Sequence, residues 1–494
     1  MKKIIKYSSV ALLGMLGFSA CQRDLLNPSP QTSISDASAF STLGRIQSQV
    51  LSLYGALKSG AFYGGRYVIY GDIKGEDFIN ETSNLVTGSD VWAENCTNSA
   101  TAVTGLWAQA YYTINCCNVF IDGMNSGGTT VSGAALAANY IAEAKLIRAL
   151  SYYSLLQFYA RPYADGSGSK PGVPLRLTGI KGSGYSNLAR STVAQVYTQI
   201  LADLNDAETG LPLTYSSAYN NTTRAHRNTA IALKTRVYLS MQNYASVITE
   251  ANKIVGQTTA PFSATSGVAH ALQANIGNVF VAPYTTTESI FSMPMTTTSG
   301  DYPGTQNQVG YYFSPTATNG GTGNGEYSLN ASGIIADAGW TSTDKRRLFI
   351  KQSGSGATLK NWSIKFPTGN PYTDYIPVIR YSEVLLNLAE ARVRSLNTVD
   401  AQAVALLNAV RNRSDASTTY TTGSFATSTA LVNAILNERR IEFLGEGLRV
   451  NDLMRLLQTI PAKGTAPSKA STDVGYIWPI SSSELALNSL MTDN

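Results

Sequence analysis

Apolar residues at Phe40, Leu43, Ile46, Val50, Leu53 and Leu57 recur every three or four positions, which predicts an amphipathic helix over 39–57. The same period returns over 107–124 and 134–159. In the latter, Leu136, Tyr140, Ala144, Ile147 and Ser151 share one face. Arg161-Pro162 ends that helix, because the residue before a proline is pushed out of the helical region. Ser191 or Thr192 is placed to cap a helix running to about 208, which Leu211-Pro212 closes. Further helices are predicted over roughly 228–255 and 384–410, and a last one over 428–443.

Small and aromatic residues alternate at Ala232, Arg236-Val237-Tyr238-Leu239, Asn243-Tyr244-Ala245 and Ala251, in the manner of a tetratricopeptide helix pair. Val384-Leu385, Ala389-Glu390-Ala391, Ala401, Leu406, Leu407 and Val410 repeat the pattern in degenerate form. Two stretches show no period. Residues 60–100 mix Gly, Asn and Ser with Tyr63, Tyr67, Tyr70, Phe78 and Trp92, and read as loop. Residues 261–377 are poor in helical signal. Within them, 296–333 hold Tyr302, Tyr311, Tyr312, Phe313 and Tyr327 but only Asp301 and Glu326 as charges. A long uncharged loop inside a compact protein points to function.

Charged residues are only 14 % of the 494, against roughly 25 % in an average soluble protein, and tyrosine is abundant at 28 copies. Such a surface suits neutral polar ligands better than polyanions. The formal charge of +5 owes three units to Lys2, Lys3 and Lys6, and no clustered basic face follows them, so nucleic-acid binding is set aside. Those lysines precede a short apolar run, Val10 to Ala20, too short to span a bilayer and typical of a cleaved leader. Phe18-Ser19-Ala20-Cys21 resembles a bacterial lipobox, with Phe18 in place of the usual leucine. That resemblance implies acyl chains on Cys21, where more than one chain, at ~0.8 kcal/mol per buried CH₂, anchors stably. An extended tether with Pro28 and Pro30 follows. Cys96, Cys116 and Cys117 remain, too few and too uneven for a disulfide framework, although one bridge from Cys96 to either of the others stays open.

Catalytic and cofactor signals are weak. His226 and His270 lack metal-ligand spacing, and Gly320-Gly321-Thr322-Gly323-Asn324-Gly325-Glu326 is not followed by the Lys of a phosphate loop, so no metal or other cofactor is expected. Asp72, Glu76, Asp77 and Glu81 could supply a glycosidase pair only at a fixed separation with one pKa raised, and they read better as loop carboxylates. Glu438, Glu442 and Glu446 fall at i, i+4 and i+8 beside Arg439, Arg440 and Arg449, which predicts a structural ion network where helix ends meet.

Several motifs stand in a fixed order: Trp107 with Asn115 and Asn118; Ala142-Glu143-Ala144 through Arg148-Ala149-Leu150; Tyr159-Ala160-Arg161-Pro162-Tyr163; Gly172-Val173-Pro174-Leu175; Arg380-Tyr381-Ser382-Glu383; Asn408 to Arg413; Glu438 to Phe443 with Glu446-Gly447, Arg449, Asp452 and Arg455; and Trp478-Pro479-Ile480. Each is weak alone, but the ordered set resembles the SusD/RagB family of outer-membrane nutrient-binding lipoproteins of Bacteroidetes. The resemblance implies a mostly α fold in which tetratricopeptide-like pairs form a scaffold, with a loop-rich irregular ligand face and few short strands. It divides the chain into a leader 1–20, a tether 21–38, an N-terminal helical region 39–255, and a region 256–494 containing the loop-rich insertion 261–377.

It also implies no enzyme activity, a SusC-type TonB-dependent transporter as partner, an outer-membrane location at the cell surface, and an oligosaccharide ligand, with peptide in some members. A surface glycoside hydrolase or a purely structural lid are the readings from other classes. The family's glycan site draws on the loop after the first helix and on the central insertion. By region, this points here to Tyr70, Asp72, Phe78, Asn80 and Trp92, and to Tyr302, Tyr311, Tyr312 and Tyr327. Flat rings bury the apolar faces of sugars while amides and carboxylates bond their edges. Alanine at Tyr311 or Tyr327 is therefore expected to weaken binding by roughly 1–3 kcal/mol without loss of fold, by analogy with base stacking.

Overall fold

A computed structural model describes residues 36–182, 184 and 186–494. The expected leader 1–20, the lipid-bearing Cys21 and all but the last three residues of the tether lie outside the described residues. The longer helices are α1 (Leu43–Leu57), α2 (Arg66–Ile73), α3 (Thr101–Gly123), α4 (Ala134–Tyr159), α5 (Val193–Gly210), α6 (Arg227–Ser240), α7 (Tyr244–Ala251), α8 (Tyr381–Leu396), α9 (Ala401–Ser414), α10 (Ser428–Glu442) and α11 (Arg449–Arg455). From α3 to α9 each packs against the next, and α10 closes on α8. This is the quasi-linear stacking of helical repeats, in which every helix buries its apolar stripe on its neighbours. Among the described residues no helix is long and apolar enough to cross a membrane.

Helix ends follow their local chemistry. Thr192 and Gln195 form a reciprocal capping box at the start of α5, with bonds of 3.2 and 2.8 Å. Asp400 caps α9 through the Ala403 N–H at 2.8 Å. From Ala142 to Tyr159, α4 is buried almost throughout, save for half-buried Lys145, because α3 and α5 cover it from both sides. The Arg148 guanidinium inside this interface is satisfied by Asp203 of α5 (2.8 and 2.7 Å) and Asn118 of α3 (2.8 Å). Trp478 packs back on the same core, its N–H donating to the Phe158 carbonyl at 2.7 Å.

The stretch 60–100, expected to be loop, holds α2 and a short strand, β1 (Phe78–Asn80). α2 shows no period because every residue from Tyr67 to Ile73 is buried, leaving no polar face to mark a turn. The central insertion leaves and returns through an antiparallel stem, β2 (Ser289–Met293) against β6 (Ile376–Arg380). Between them run β3 (Tyr327–Leu329), β4 (Ile350–Ser353) and β5 (Lys360–Ser363), which join β1 in a sheet of order β1-β3-β5-β4. The register Phe78↔Leu329, Ile79↔Ser328 and Asn80↔Tyr327 therefore ties the first loop region to the insertion.

A buried ion network locks that stem to the C-terminal helices. Arg380, at the end of β6, reaches Glu288 (2.5 Å), Glu442 (2.9 Å) and Glu446 (2.8 Å). Arg413 of α9 bridges Glu288 and Glu442 at 2.8 and 2.5 Å. Arg346 and Lys365, both from the insertion, bind Glu438 and Glu442, and Glu446. The expected network of Glu438, Glu442 and Glu446 thus exists, but its cations come from distant segments. Arg439 turns instead to Asp452, Arg440 to Asp77 and Arg449 to Glu76. Gly71 and Gly447 bring α2 and this turn into backbone contact: a Cβ on Gly71 would lie 2.2 Å from the Gly447 carbonyl oxygen, and Gly447 itself has φ +79°. Cys96, Cys116 and Cys117 are free thiols, so the bridge left open by the sequence does not form.

Candidate functional site

The β1–β3 pairing gathers both aromatic loop regions, but it turns most of their rings inward. Phe78 stacks on Phe313 at 4.3 Å, and the Trp92 indole N–H donates to the Phe78 carbonyl at 2.8 Å. Tyr327 is 0 % exposed; its hydroxyl donates to the Thr87 carbonyl at 2.9 Å and its ring lies parallel to Tyr312. Tyr312 donates to the Gln306 carbonyl at 2.9 Å. Tyr70 sets its edge against Trp478. Tyr70, Phe78, Trp92, Tyr312 and Tyr327 thus have no free face for a sugar in this structure. The interior of the small sheet consumes them as core. Tyr327→Ala is accordingly expected to lower folding stability by roughly 3 kcal/mol, the low end for truncating a buried aromatic, since Tyr312 can close part of the gap. Urea unfolding of the variant measures this; an unchanged midpoint would return Tyr327 to the ligand surface.

Asp72 is equally committed. At 1 % exposure, its Oδ2 accepts the Gly447 N–H at 2.7 Å, and burial pushes the carboxyl well above its usual range. Glu76 pairs with Arg449 and Arg440, Asp77 holds Arg440 through both oxygens (2.8 and 2.5 Å), and Glu81 accepts from Lys360 and Ser328. All four carboxylates weighed as a hydrolytic pair are structural. Asn80, half-buried at the end of β1, accepts the Ser83 N–H at 2.7 Å, and its side-chain amide nitrogen is left without a partner.

Tyr302 and Tyr311 remain half-exposed, and the fold adds four tyrosines that the sequence did not single out. Tyr284 and Tyr375 stack at 4.5 Å with 15° between their planes. Tyr372 sets its edge on Tyr311 at 5.9 Å. Tyr284, Tyr311, Tyr372 and Tyr375 are half-buried, so each keeps ring surface toward solvent. Tyr219, 48 % exposed, stands on a short helix packed against β2, within electrostatic reach of Tyr375. Tyr302 follows Asp301, another electrostatic neighbour of Tyr375.

Tyr284 is anchored through its hydroxyl. Tyr284 donates to Asp374 at 2.8 Å, and Thr368 bonds the same carboxylate through its N–H (2.9 Å) and hydroxyl (2.6 Å). Burial, with Asp374 beside it, pushes the Tyr284 phenol up to about 12. Asp301 is half-buried; burial opposes its ionisation, but the Lys58 ammonium outweighs that and holds the carboxyl below its usual value. Tyr284 and Tyr372 both have φ +62°, a left-handed conformation that side chains other than glycine, Asn and Asp seldom adopt and that costs about 1 kcal/mol or more each. Each occurs in the sequence Pro-Tyr-Thr, at Pro283-Tyr284-Thr285 and Pro371-Tyr372-Thr373. That repeated tripeptide was the signal available for finding them. Among the described residues no group of three or more His, Cys, Asp or Glu side chains forms a metal site.

The profile of the SusD family matches residues 336–494, and a profile described as starch-binding, associating with outer membrane, matches 41–239. A SusD superfamily protein of Bacteroides fragilis has a similar structure: 32 % identity, 92 % of this chain and 99 % of that one covered, TM-score 0.79. A laminarin-binding SusD-like protein shares the fold at 20 % identity, with 92 % and 99 % covered and TM-score 0.70. A SusD-like protein of Formosa agariphila is 23 % identical over 289 residues, 56 % of this chain; the match spans about half of that relative's length (49 %).

Proposed function

The chain belongs to the SusD/RagB family, and from that premise we propose that it is a cell-surface lipoprotein that captures an oligosaccharide and passes it, unmodified, to a TonB-dependent outer-membrane transporter of the SusC type. The observation that carries the binding step is the cluster of half-exposed tyrosines, Tyr284, Tyr311, Tyr372 and Tyr375, held on loops almost without charge. Sugars offer apolar C–H faces and hydroxyl edges, and rigid rings flanked by Asn, Thr and backbone groups meet both at little entropic cost. The laminarin-binding relative lends weight to a glycan over a peptide. Binding without turnover agrees with the carboxylates of residues 72–81, each already held by a structural partner. The lipobox-like Phe18-Ser19-Ala20-Cys21 supports anchoring, and a Cys21→Ala variant should leave the outer-membrane fraction.

Calorimetry of the purified protein against a polysaccharide panel and a peptide digest tests the reading. Tyr375→Ala and Tyr311→Ala are each expected to weaken the glycan complex by roughly 1–3 kcal/mol, as for other ring-stacking contacts, with the unfolding midpoint nearly unchanged because both rings are half-exposed. Heat with peptides alone would move the protein to peptide capture. Reducing sugar released from a bound glycan would make it a hydrolase.

A further inference from the structure

Helix α3 carries one charge in its 23 residues, Asp122. Its outward stripe runs through Ala108, Tyr112, Cys116 and Val119, exposed or half-buried and uncharged throughout. A helix on the surface of a globular protein ordinarily turns charged or polar residues to water. Here Tyr112 stands 59 % exposed.

A strap is lashed along the same helix. The Asn115 side chain accepts the Ile180 N–H at 2.8 Å and donates to the Ile180 carbonyl at 3.0 Å. Asn118 donates to the Arg176 and Thr178 carbonyls at 2.8 and 3.3 Å, and Asp122 accepts the Gly179 N–H at 2.8 Å. Asn115 and Asn118, which the sequence marks together with Trp107, therefore fix the backbone of 176–180. The Leu177 and Ile180 side chains are left 40 and 39 % exposed. Two clefts border the strap. One of about 540 Å³ is lined by Tyr111, Asn115, Ile180 and Leu487, and one of about 380 Å³ by Phe40, Val119, Gly123 and Val131. Tyr111, Asn115, Val119 and Gly123 are successive i, i+4 positions on α3, so the clefts follow each other along one face. A contiguous apolar face of this kind marks an interaction surface.

Two observations say what covers it. Phe40 packs on Phe120 with 5.8 Å between ring centres, and a Cβ on Gly123 would lie 2.1 Å from the Phe40 ring, so the tether joins the fold at this face. Cys21 stands 15 positions before Asp36, a length of chain that reaches at most about 50 Å. A lipid on Cys21 therefore keeps the face within reach of proteins in the same membrane. The charges lining the clefts are Arg176, Glu484 and Lys181, and Arg176 pairs with Glu484 at 3.4 Å. Anionic headgroups are met by clustered lysine and arginine, which this face lacks. The buried centre of a protein interface is apolar, rich in aromatic side chains and depleted of charge, which this face matches. On the reading that the protein delivers its ligand to a transporter, we infer that the α3 face is where the transporter docks, its aliphatic or aromatic side chains filling the two clefts. The face shares no residue with the tyrosine cluster, so docking and glycan capture use separate surfaces.

The test places the photo-crosslinker p-benzoylphenylalanine at Tyr112, at Leu177 and, as an exposed position elsewhere, at Leu396 of α8, each in the full-length lipoprotein in its own cells. Adducts are identified by peptide mass. Tyr112 and Leu177 are expected to capture a TonB-dependent barrel at least tenfold more than Leu396 does. A Leu177→Asp/Ile180→Asp variant should cut the Tyr112 adduct at least tenfold, with the unfolding midpoint unchanged and glycan affinity altered less than twofold. A barrel that co-purifies with the native lipoprotein but is captured from Leu396 as well as from Tyr112 and Leu177, or not from these two at all, overturns the docking face and leaves the pairing standing. So do adducts of Tyr112 and Leu177 with lipid or with a second copy of this chain. Native lipoprotein that purifies from the membrane without any such barrel overturns the pairing itself.

Discussion

Arg380→Ala is expected to destabilise the protein by about 3–5 kcal/mol, the range for breaking one side of a buried ion pair. Arg380 is 1 % exposed and its guanidinium touches Glu288, Glu442 and Glu446 at once. Without it those carboxylates keep only Arg413, Arg346 and Lys365. Burial alone would raise the Glu442 carboxyl, but Arg413, Arg380 and Arg346 outweigh burial and hold it well below the usual range. The loss is therefore that of a neutralised interior charge, not of a surface contact. It should reach the ligand loops as well, since Arg380 ends β6 and Glu288 precedes β2, the two strands of the insertion's stem. Urea unfolding read by tryptophan fluorescence, together with proteolysis of the insertion, measures both effects. A midpoint within error of the native protein would show the network to be ornamental.

Acid is expected to unfold the protein through His226 and His270, residues 44 positions apart whose rings stack at 5.2 Å with both side chains fully buried. The His226 Nε2–H donates to the Ile290 carbonyl at 3.3 Å and the His270 Nδ1–H to the Thr287 carbonyl at 3.0 Å. The His270 Nε2 has no partner. Burial, and for His226 the neighbouring ring of His270, lowers the two pKa values to about 3 and about 4. In the unfolded chain each takes up its proton near 6.5. A depressed histidine is neutral in the native state, so below about 6.5 the unfolded chain binds more protons and stability falls. The loss deepens until the native values are passed and is on the order of 5 kcal/mol for the pair by pH 4.

Asp72, whose pKa is raised, acts in the opposite sense, so the informative quantity is the difference between native and variant profiles. Gln at His226 and Asn at His270 place an amide N–H where each ring N–H sits and cannot take up a proton. In the His226→Gln/His270→Asn double variant the urea midpoint should fall less between pH 7 and pH 4. Parallel profiles would show that the pair does not govern acid stability.

The helices were legible because their signal is local. Leu43–Leu57, Ala134–Tyr159 and Ser428–Glu442 each expose one polar face, or end on a cap or a proline, within a window of about four turns. The ordered motifs were legible too, although their meaning was not. Arg380, the arginines of Asn408 to Arg413, and Glu438 to Glu446 look like separate signatures and turn out to be one ion cluster. α2 escaped because complete burial removes the polar half of its pattern.

The chain's own residues thus determined a stacked helical scaffold, two stretches rich in aromatics, and a charge-poor insertion, all of which depend on composition and on neighbours a few positions apart. Tertiary structure alone decided which rings a ligand can touch. Tyr327 and Tyr375 stand in similar polar surroundings in sequence, each directly after a carboxylate, yet the first is enclosed in β3 beside β1 and the second keeps ring surface toward solvent. That difference is set by a strand pairing across some 250 residues, Phe78 with Leu329, and by the ion-locked stem that aims the insertion. A tyrosine serves equally well as core or as platform, and only the chain that folds over it selects between them.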